Sequence, residues 1–193
     1  NAVIVTGISR ASQLKKIPFQ VSVVRKQELL QNLSMNIIEG ISRKAGITSL
    51  SSGPSISKPV IRGLGYNRVL TMHDVVRQEG QQWGDEHGIE IDDESVSKVE
   101  ILKGPASLVY GSDAMAGVIN IITNQTPSAN TIKLNLGSQY QSNNHLRSLF
   151  GHFSGNKKGV NWNAYGTYKA AQDYRNKYDG YVFNSKFNQH NFG

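Results

Sequence analysis

The stretch that decides the fold runs from Lys98 to Thr123, KVEILKGPASLVYGSDAMAGVINIIT. Its first apolar run, Val99 to Leu102, reads as a buried strand ending at Lys103. Gly104-Pro105 then makes a turn, and Ala106 to Tyr110 is long enough for one short helical turn. Gly111-Ser112-Asp113 reverses the chain, and Gly117 allows a close backbone approach before a last buried strand, Val118 to Ile122. The pattern is strand, turn, short helix, reversal, strand.

Upstream, Val60-Ile61 and Val69-Leu70-Thr71-Met72 are short apolar runs bounded by Gly, Pro or polar residues, and each predicts a short buried strand. Leu29, Leu33, Ile37 and Ile41 fall four apart, with Leu30 and Ile38 beside them. That spacing predicts one helix, or two short ones broken near Ser34 as an N-cap, with Gly46 as the stop. The first part of the chain is therefore an α+β domain.

Downstream of Asn124-Gln125-Thr126-Pro127 the helical period vanishes. Ile132, Leu134 and Leu136 alternate with Lys133, Asn135 and Gly137, and Val160, Trp162 and Ala164 with Asn161, Asn163 and Tyr165. Segments 131–140, 145–154, 160–170 and 180–192 read as antiparallel strands separated by turn-rich pieces. Their length suits membrane-barrel strands of roughly 9–11 residues, but a soluble meander shows the same alternation. Four strands alone leave two open edges and little core, which favours the barrel.

Composition narrows the classes. The 193 residues are 38% hydrophobic, and no run approaches the roughly 20 apolar residues of a spanning helix. There is no cysteine, so disulfide frameworks and Cys-ligated metal sites are excluded. The net charge of +7 is spread over singles and pairs such as Lys15/Lys16 and Arg43/Lys44, with no nucleic-acid recognition motif beside it. Asn1 and Gly193 read as the ends of an excised fragment.

The Lys98–Thr123 stretch resembles the end of the plug domain of TonB-dependent outer-membrane transporters. A second likeness is Pro59-Val60-Ile61-Arg62-Gly63-Leu64-Gly65, continuing through Asn67-Arg68-Val69-Leu70 to Asp74. There the plug family usually has Asp-Gly, and Val75 stands in place of the glycine. Ala2-Val3-Ile4-Val5-Thr6-Gly7 is similar to a TonB box, an extended segment that pairs as a strand with the energy transducer TonB. The resemblance implies a flexible segment at 1–16, a plug at 17–125 built on a small mixed sheet with short helices, and the first strands of a transmembrane β-barrel at 126–193.

The resemblance also implies a mechanism. Such proteins sit in the outer membrane of Gram-negative bacteria as barrels of roughly 22 strands, with the plug inside and lipid outside. They bind a scarce nutrient and import it when TonB pulls; no cofactor and no catalytic residue is required. Arg62, Glu100 and Lys103 are expected at the plug–barrel contact. The segment QEGQQWGDEHGIE, Gln78 to Glu90, follows the Asp74 strand where apical loops meet substrate. Gln82, Trp83, Asp85, Glu86 and His87 are its candidate cargo contacts, with Asp85 and His87 as metal ligands if the cargo is a metal ion or metal complex. An enzyme is the weaker reading: the Gly-rich pieces Arg62–Gly65 and Lys103–Pro105 lack a Walker ending, and no Ser/His/Asp constellation can be placed. A soluble or surface ligand-binding or adhesion module is the remaining alternative.

Overall fold

The chain divides after Thr123 into two units, Asn1–Thr123 and Asn124–Gly193. The computed structural model describes residues 4–5, 12–13, 20–32, 34–80, 83–123 and 127–193.

In the first unit, β1 (Ile4–Val5) pairs antiparallel with β2 (Ser12–Gln13). Then come β3 (Val21–Arg25), α1 (Lys26–Gln31), α2 (Ile37–Ile41), β4 (Ile47–Gly53), β5 (Ile56–Ile61), β6 (Val69–His73), β7 (Val76–Gln78), β8 (Val96–Lys103) and β9 (Gly117–Thr123). Strands β3-β8-β9-β6-β7 make one sheet, parallel only between β6 and β9, while β4 and β5 form a separate hairpin. Apolar residues cover both faces of the sheet. Val24, Val99, Ile101, Ile119 and Ile121 pack with Leu29, Ile37, Ile38 and Ile41 of the helices. On the reverse face Leu102 and Val118 pack with Leu70, Met72 and Ala114. Burying each such large side chain contributes about 1.5–3 kcal/mol.

The decisive stretch folds as its sequence reads. Pro105–Tyr110 and Ser112–Ala114 are 3-10 turns, and β9 returns antiparallel to β8. A Cβ at Gly117 would sit 2.5 Å from the Leu102 carbonyl oxygen, so only glycine lets the two strands close here.

The helical segment differs from expectation in one respect. Two short helices form, but the cap of α2 is Asn36 and not Ser34. Asn36 Oδ1 accepts from Glu39 N at 2.9 Å, and Glu39 Oε2 accepts from Met35 N at 2.9 Å. This reciprocal arrangement satisfies two backbone donors at the helix start. Ser34 instead places its hydroxyl against Gly40. Gly46, at φ 74°, lies in the turn before β4 and does not end the helix, whose cap is Ser42.

The β6–β7 hairpin closes despite the missing glycine. Asp74 and Val75 both take positive φ, 48° and 71°, as a two-residue hairpin turn of the primed type requires. Four bonds hold this conformation: Asp74 N donates to Ile121 O (2.9 Å), Val75 N to Asn120 Oδ1 (3.1 Å), Thr123 N to Asp74 Oδ1 (2.9 Å), and Thr123 Oγ1 to Asp74 Oδ2 (2.5 Å).

The second unit contains β10 (Thr131–Gln141), β11 (Leu146–Lys157), β12 (Val160–Ala171), β13 (Arg175–Asn176), β14 (Gly180–Tyr181) and β15 (Phe187–Phe192). The order β10-β11-β12-β15 is antiparallel throughout. Segment 180–192 is thus not one strand. Asn176 Oδ1 accepts from Tyr178 N and Asp179 N, and Asp173 Oδ1 accepts from Ser185 N and Lys186 N. These side chains offer the backbone an alternative to the ladder, and a small hairpin, β13–β14, results.

Its faces are inverted relative to a soluble sheet. Ile132, Leu134, Leu136, Leu149 and Phe192 are exposed, whereas Ser148, His152, Ser154, Thr167 and Lys169 on the reverse face are buried. Polar bonds run across that reverse face: His152 contacts Asn135 Nδ2 (3.3 Å) and Asn163 Oδ1 (2.7 Å) through its two ring nitrogens. Apolar-out, polar-in alternation is the pattern of membrane barrels.

Two substitutions test the plug backbone in opposite directions. Gly117→Ala, which drives a methyl into the Leu102 carbonyl, is expected to cost about 3 kcal/mol. Val75→Gly relieves a β-branched residue at positive φ and is expected to add about 1 kcal/mol. Urea unfolding midpoints that move the other way would contradict this reading.

Candidate functional site

Within the Gln78–Glu90 segment, Trp83, Gly84 and Asp85 are held by side chains from the β4–β5 hairpin and the turn after it. Lys58, on β5, is 3% exposed. Its Nζ donates to Trp83 O (3.2 Å) and Gly84 O, and lies 4.7 Å from the centroid of the Tyr66 ring. Carbonyl oxygens and an aromatic face replace the water that a buried ammonium loses. Tyr66 in turn donates its hydroxyl to Asp85 Oδ1 (2.7 Å), and Ser52 Oγ donates to Asp85 O (2.6 Å). The Asp85 carboxylate, accepting that bond, holds the Tyr66 phenol above its ordinary range; burial and the carboxylate's charge act in the same direction. A Cβ on Gly88 would lie 3.5 Å from Ile56 and from Ser57 N, so the far side of the loop runs against β5.

On this base the outer residues stand free of the core. Trp83 is 69% exposed, and Glu86 and His87 are exposed with Nε2 and Oε1 3.8 Å apart. Trp83, Asp85, Glu86 and His87 therefore share one loop, while Gln82 lies outside the described residues. The two expected metal ligands are engaged differently, Asp85 with Tyr66 and His87 beside Glu86. His73 sits next to Asp74 on the β6–β7 turn, 3.6 Å from its carboxylate. Among the described residues no three His, Asp or Glu side chains gather as a metal cluster.

Arg62, Glu100 and Lys103 occupy two sides of the sheet. Alternation along β8 directs Val99, Ile101 and Lys103 to the helical side and Lys98, Glu100 and Leu102 to the other. Lys103 is buried with its Nζ bonded to Ala45 O. Burial lowers its pKa, and the charges of Arg62 and Lys44 lower it further. Arg62 is exposed, at φ 51°, and donates to Gln20 Oε1 (3.1 Å). Glu100 has no exposed surface; Lys98 Nζ donates to its Oε1 (2.6 Å) and Asn120 Nδ2 to its Oε2 (3.4 Å). Burial and the Glu100 charge together raise the pKa of Tyr110. Of the TonB-box-like segment, Ile4 and Val5 form β1, and Ala2, Val3, Thr6 and Gly7 lie outside the described residues.

Sequence reasoning missed Lys58, Tyr66 and Ser52. A lysine followed by Pro59 in an alternating segment carries the signature of an exposed edge, and only the fold of the loop over β5 buries it.

Comparison with known proteins converges on one family. The model of the TonB-dependent Receptor Plug Domain matches residues 13–118, more than half of the chain. The vitamin B12 transporter BtuB of Vibrio vulnificus is 34% identical over 140 residues, covering 72% of this chain and 23% of the relative. The iron-regulated outer membrane virulence protein of Vibrio cholerae is 29% identical over 147 residues, covering 72% and 22%. The solved hemophore receptor HasR of Serratia marcescens, in complex with HasA and heme, shares the fold with a TM-score of 0.78 over 91% of this chain and 28% of its own, at 19% identity. The chain spans less than a quarter of the length of the curated relatives it matches. With its mixed-sheet plug followed by antiparallel strands, the chain belongs to the TonB-dependent receptors of the outer membrane.

Proposed function

We propose that this chain supplies the gate and the first barrel strands of an importer that takes up a scarce nutrient, a metal ion or metal-bearing complex, with energy delivered by TonB. The observation that carries this reading is the loop whose base is fixed by Lys58, Tyr66 and Ser52 while Trp83, Glu86 and His87 project outward. A fixed base keeps the ordering cost of binding low, and an indole, carboxylates and an imidazole suit a planar or metal-bearing cargo. Relatives point the same way: BtuB is named for vitamin B12, a Yersinia pestis relative for hemin, and the structural neighbour OprC for copper. The Tyr66 bond occupies only one lone pair of Asp85 Oδ1, so the carboxylate keeps acceptor capacity for a metal alongside His87.

Transmission runs through the plug–barrel contact. Arg62 is exposed on one side of the sheet above the buried Lys103, and Glu100, paired with Lys98, is buried on the other. Carboxylates of the barrel wall facing Arg62 would form charge pairs there, and since losing one partner of a buried pair costs about 3–5 kcal/mol, breaking them would act as a two-state lock. TonB takes hold at residues 2–7 by strand addition. No bond-making step belongs to this cycle. The soluble or adhesive module is disfavoured because it would have to leave Ile132, Leu134 and Leu136 in water.

In the complete receptor, Trp83→Ala and His87→Ala are expected to weaken cargo binding at least about tenfold each, read by titrating cobalamin, haem, a ferric siderophore, Zn²⁺ and Cu²⁺. Unchanged affinity for whichever cargo binds would remove the loop from the site. The loop's base has its own readout. Asp85→Asn should let Tyr66 ionise at lower pH, seen as phenolate absorbance against a Tyr66→Phe control, and an unmoved titration would show that the Tyr66–Asp85 bond does not form.

A further inference from the structure

Tyr66 carries more than a strut would need. It opens a 3-10 turn, Tyr66–Arg68, with its own backbone at φ 56°. Glycine and asparagine hold that conformation at least cost, and a bulky aromatic there is an outlier held by its surroundings. The ring centroid lies 4.7 Å from the buried Lys58 ammonium, a contact open to phenylalanine as well. The hydroxyl adds only the 2.7 Å bond to Asp85 Oδ1. As a support that bond is redundant: Ser52 Oγ already holds the Asp85 carbonyl, and Lys58 Nζ holds those of Trp83 and Gly84.

The hydroxyl and the carboxylate form a pair of hard oxygens open to solvent. Tyr66 is 40% exposed, and Asp85 is exposed as well. In an octahedral shell with bonds of about 2.0–2.1 Å, neighbouring oxygens stand about 2.9 Å apart. The Tyr66–Asp85 separation is close to that edge, so a small cation can replace the shared proton with little movement of either residue. The phenol proton passes to solvent, and the phenolate left behind faces the Lys58 charge, which favours the anion. His87 stands two residues along the same loop, exposed beside Glu86, and offers a third donor. Among the described residues no three His, Asp or Glu side chains gather; a tyrosine supplies what they lack.

Charge decides which cation. Displacing a phenol proton is harder than meeting a carboxylate and an imidazole, and the attraction that offsets it grows with the charge of the ion. A divalent ion such as Zn²⁺ is served by Asp85 and His87 with the phenol intact. A trivalent, oxygen-seeking ion gains the phenolate as well. A porphyrin is disfavoured, because its ring fills the equatorial positions and leaves the iron no two neighbouring sites for Tyr66 and Asp85.

We propose that Tyr66 is a metal ligand that selects ferric iron: its phenolate and the Asp85 carboxylate take two adjacent open positions on Fe³⁺, with His87 as a third donor. The inference rests on the reading of the Gln78–Glu90 loop as the cargo site, and it narrows the cargo to ferric iron whose shell is not already filled.

The test titrates the complete receptor in detergent with ferric nitrilotriacetate, Zn²⁺ and haem, and repeats each titration in Tyr66→Phe and His87→Ala. The expected result is a visible phenolate-to-iron charge-transfer band with the ferric chelate, absent in Tyr66→Phe, and ferric affinity at least about tenfold lower in that variant. Zn²⁺ affinity should stay within about twofold in Tyr66→Phe and fall in His87→Ala, a split that a merely structural role of Tyr66 would not give. Ferric binding without the band, or equal ferric affinity in Tyr66→Phe, overturns the proposal. Zn²⁺ binding without ferric binding overturns it too and leaves the loop as a divalent-metal site. No binding of either metal refutes the metal reading of the loop and this proposal with it. Haem bound through Tyr66 in place of the ferric chelate assigns the phenolate to a porphyrin and overturns the open-shell iron. Should Tyr66→Phe lose Zn²⁺ as well, resonance Raman spectra of the native ferric complex decide. Phenolate vibrations that shift in receptor grown on ring-deuterated tyrosine support the ligand, and their absence overturns it.

Discussion

The pairing of β8 with β9, closed where Gly117 passes the Leu102 carbonyl, is the constraint on which the plug depends. These two strands form the middle of the sheet and carry residues for both cores. Their register sets Glu100 beside Asn120, and Asn120 in turn holds the Val75 amide in the strained β6–β7 turn. One tight contact therefore fixes the sheet, the buried Glu100 carboxylate and the turn that the family usually builds with glycine.

The two units resolve the same physical problem in opposite ways. The first hides apolar residues on both faces of its sheet beneath helices and 3-10 turns. The second exposes them and keeps serine, histidine, threonine and lysine on the reverse face. Such a surface is costly in water and favourable in hydrocarbon. β5 carries Lys58, which pins Trp83 and Gly84, and runs directly into Arg62. Movement of the loop base would be felt first by that strand.

Much of this was legible in the sequence, and the limits have physical reasons. Lys98 to Thr123 could be read almost residue by residue because its strands are buried on both faces and its turns are set by Gly and Pro. The α2 cap was misplaced by two residues because Ser34 and Asn36 are both good caps, and only the Asn36–Glu39 reciprocity decides between them. The last strand was overextended because Asn176 and Asp173 capture backbone donors locally, a choice that alternation does not register. Lys58 and Tyr66 were invisible because their roles arise from segments distant in sequence. Period-two alternation alone left the barrel and the soluble meander open; the direction of the faces favours the barrel.

The most direct test of that inversion is an accessibility scan of β10 in the complete receptor, reconstituted in bilayers with single spin labels. The account predicts a period of two: labels at Ile132, Leu134 and Leu136 collide mainly with lipid-dissolved oxygen, and labels at Lys133, Asn135 and Gln139 do not. Uniform access to an aqueous nickel chelate along the whole strand would contradict the membrane barrel.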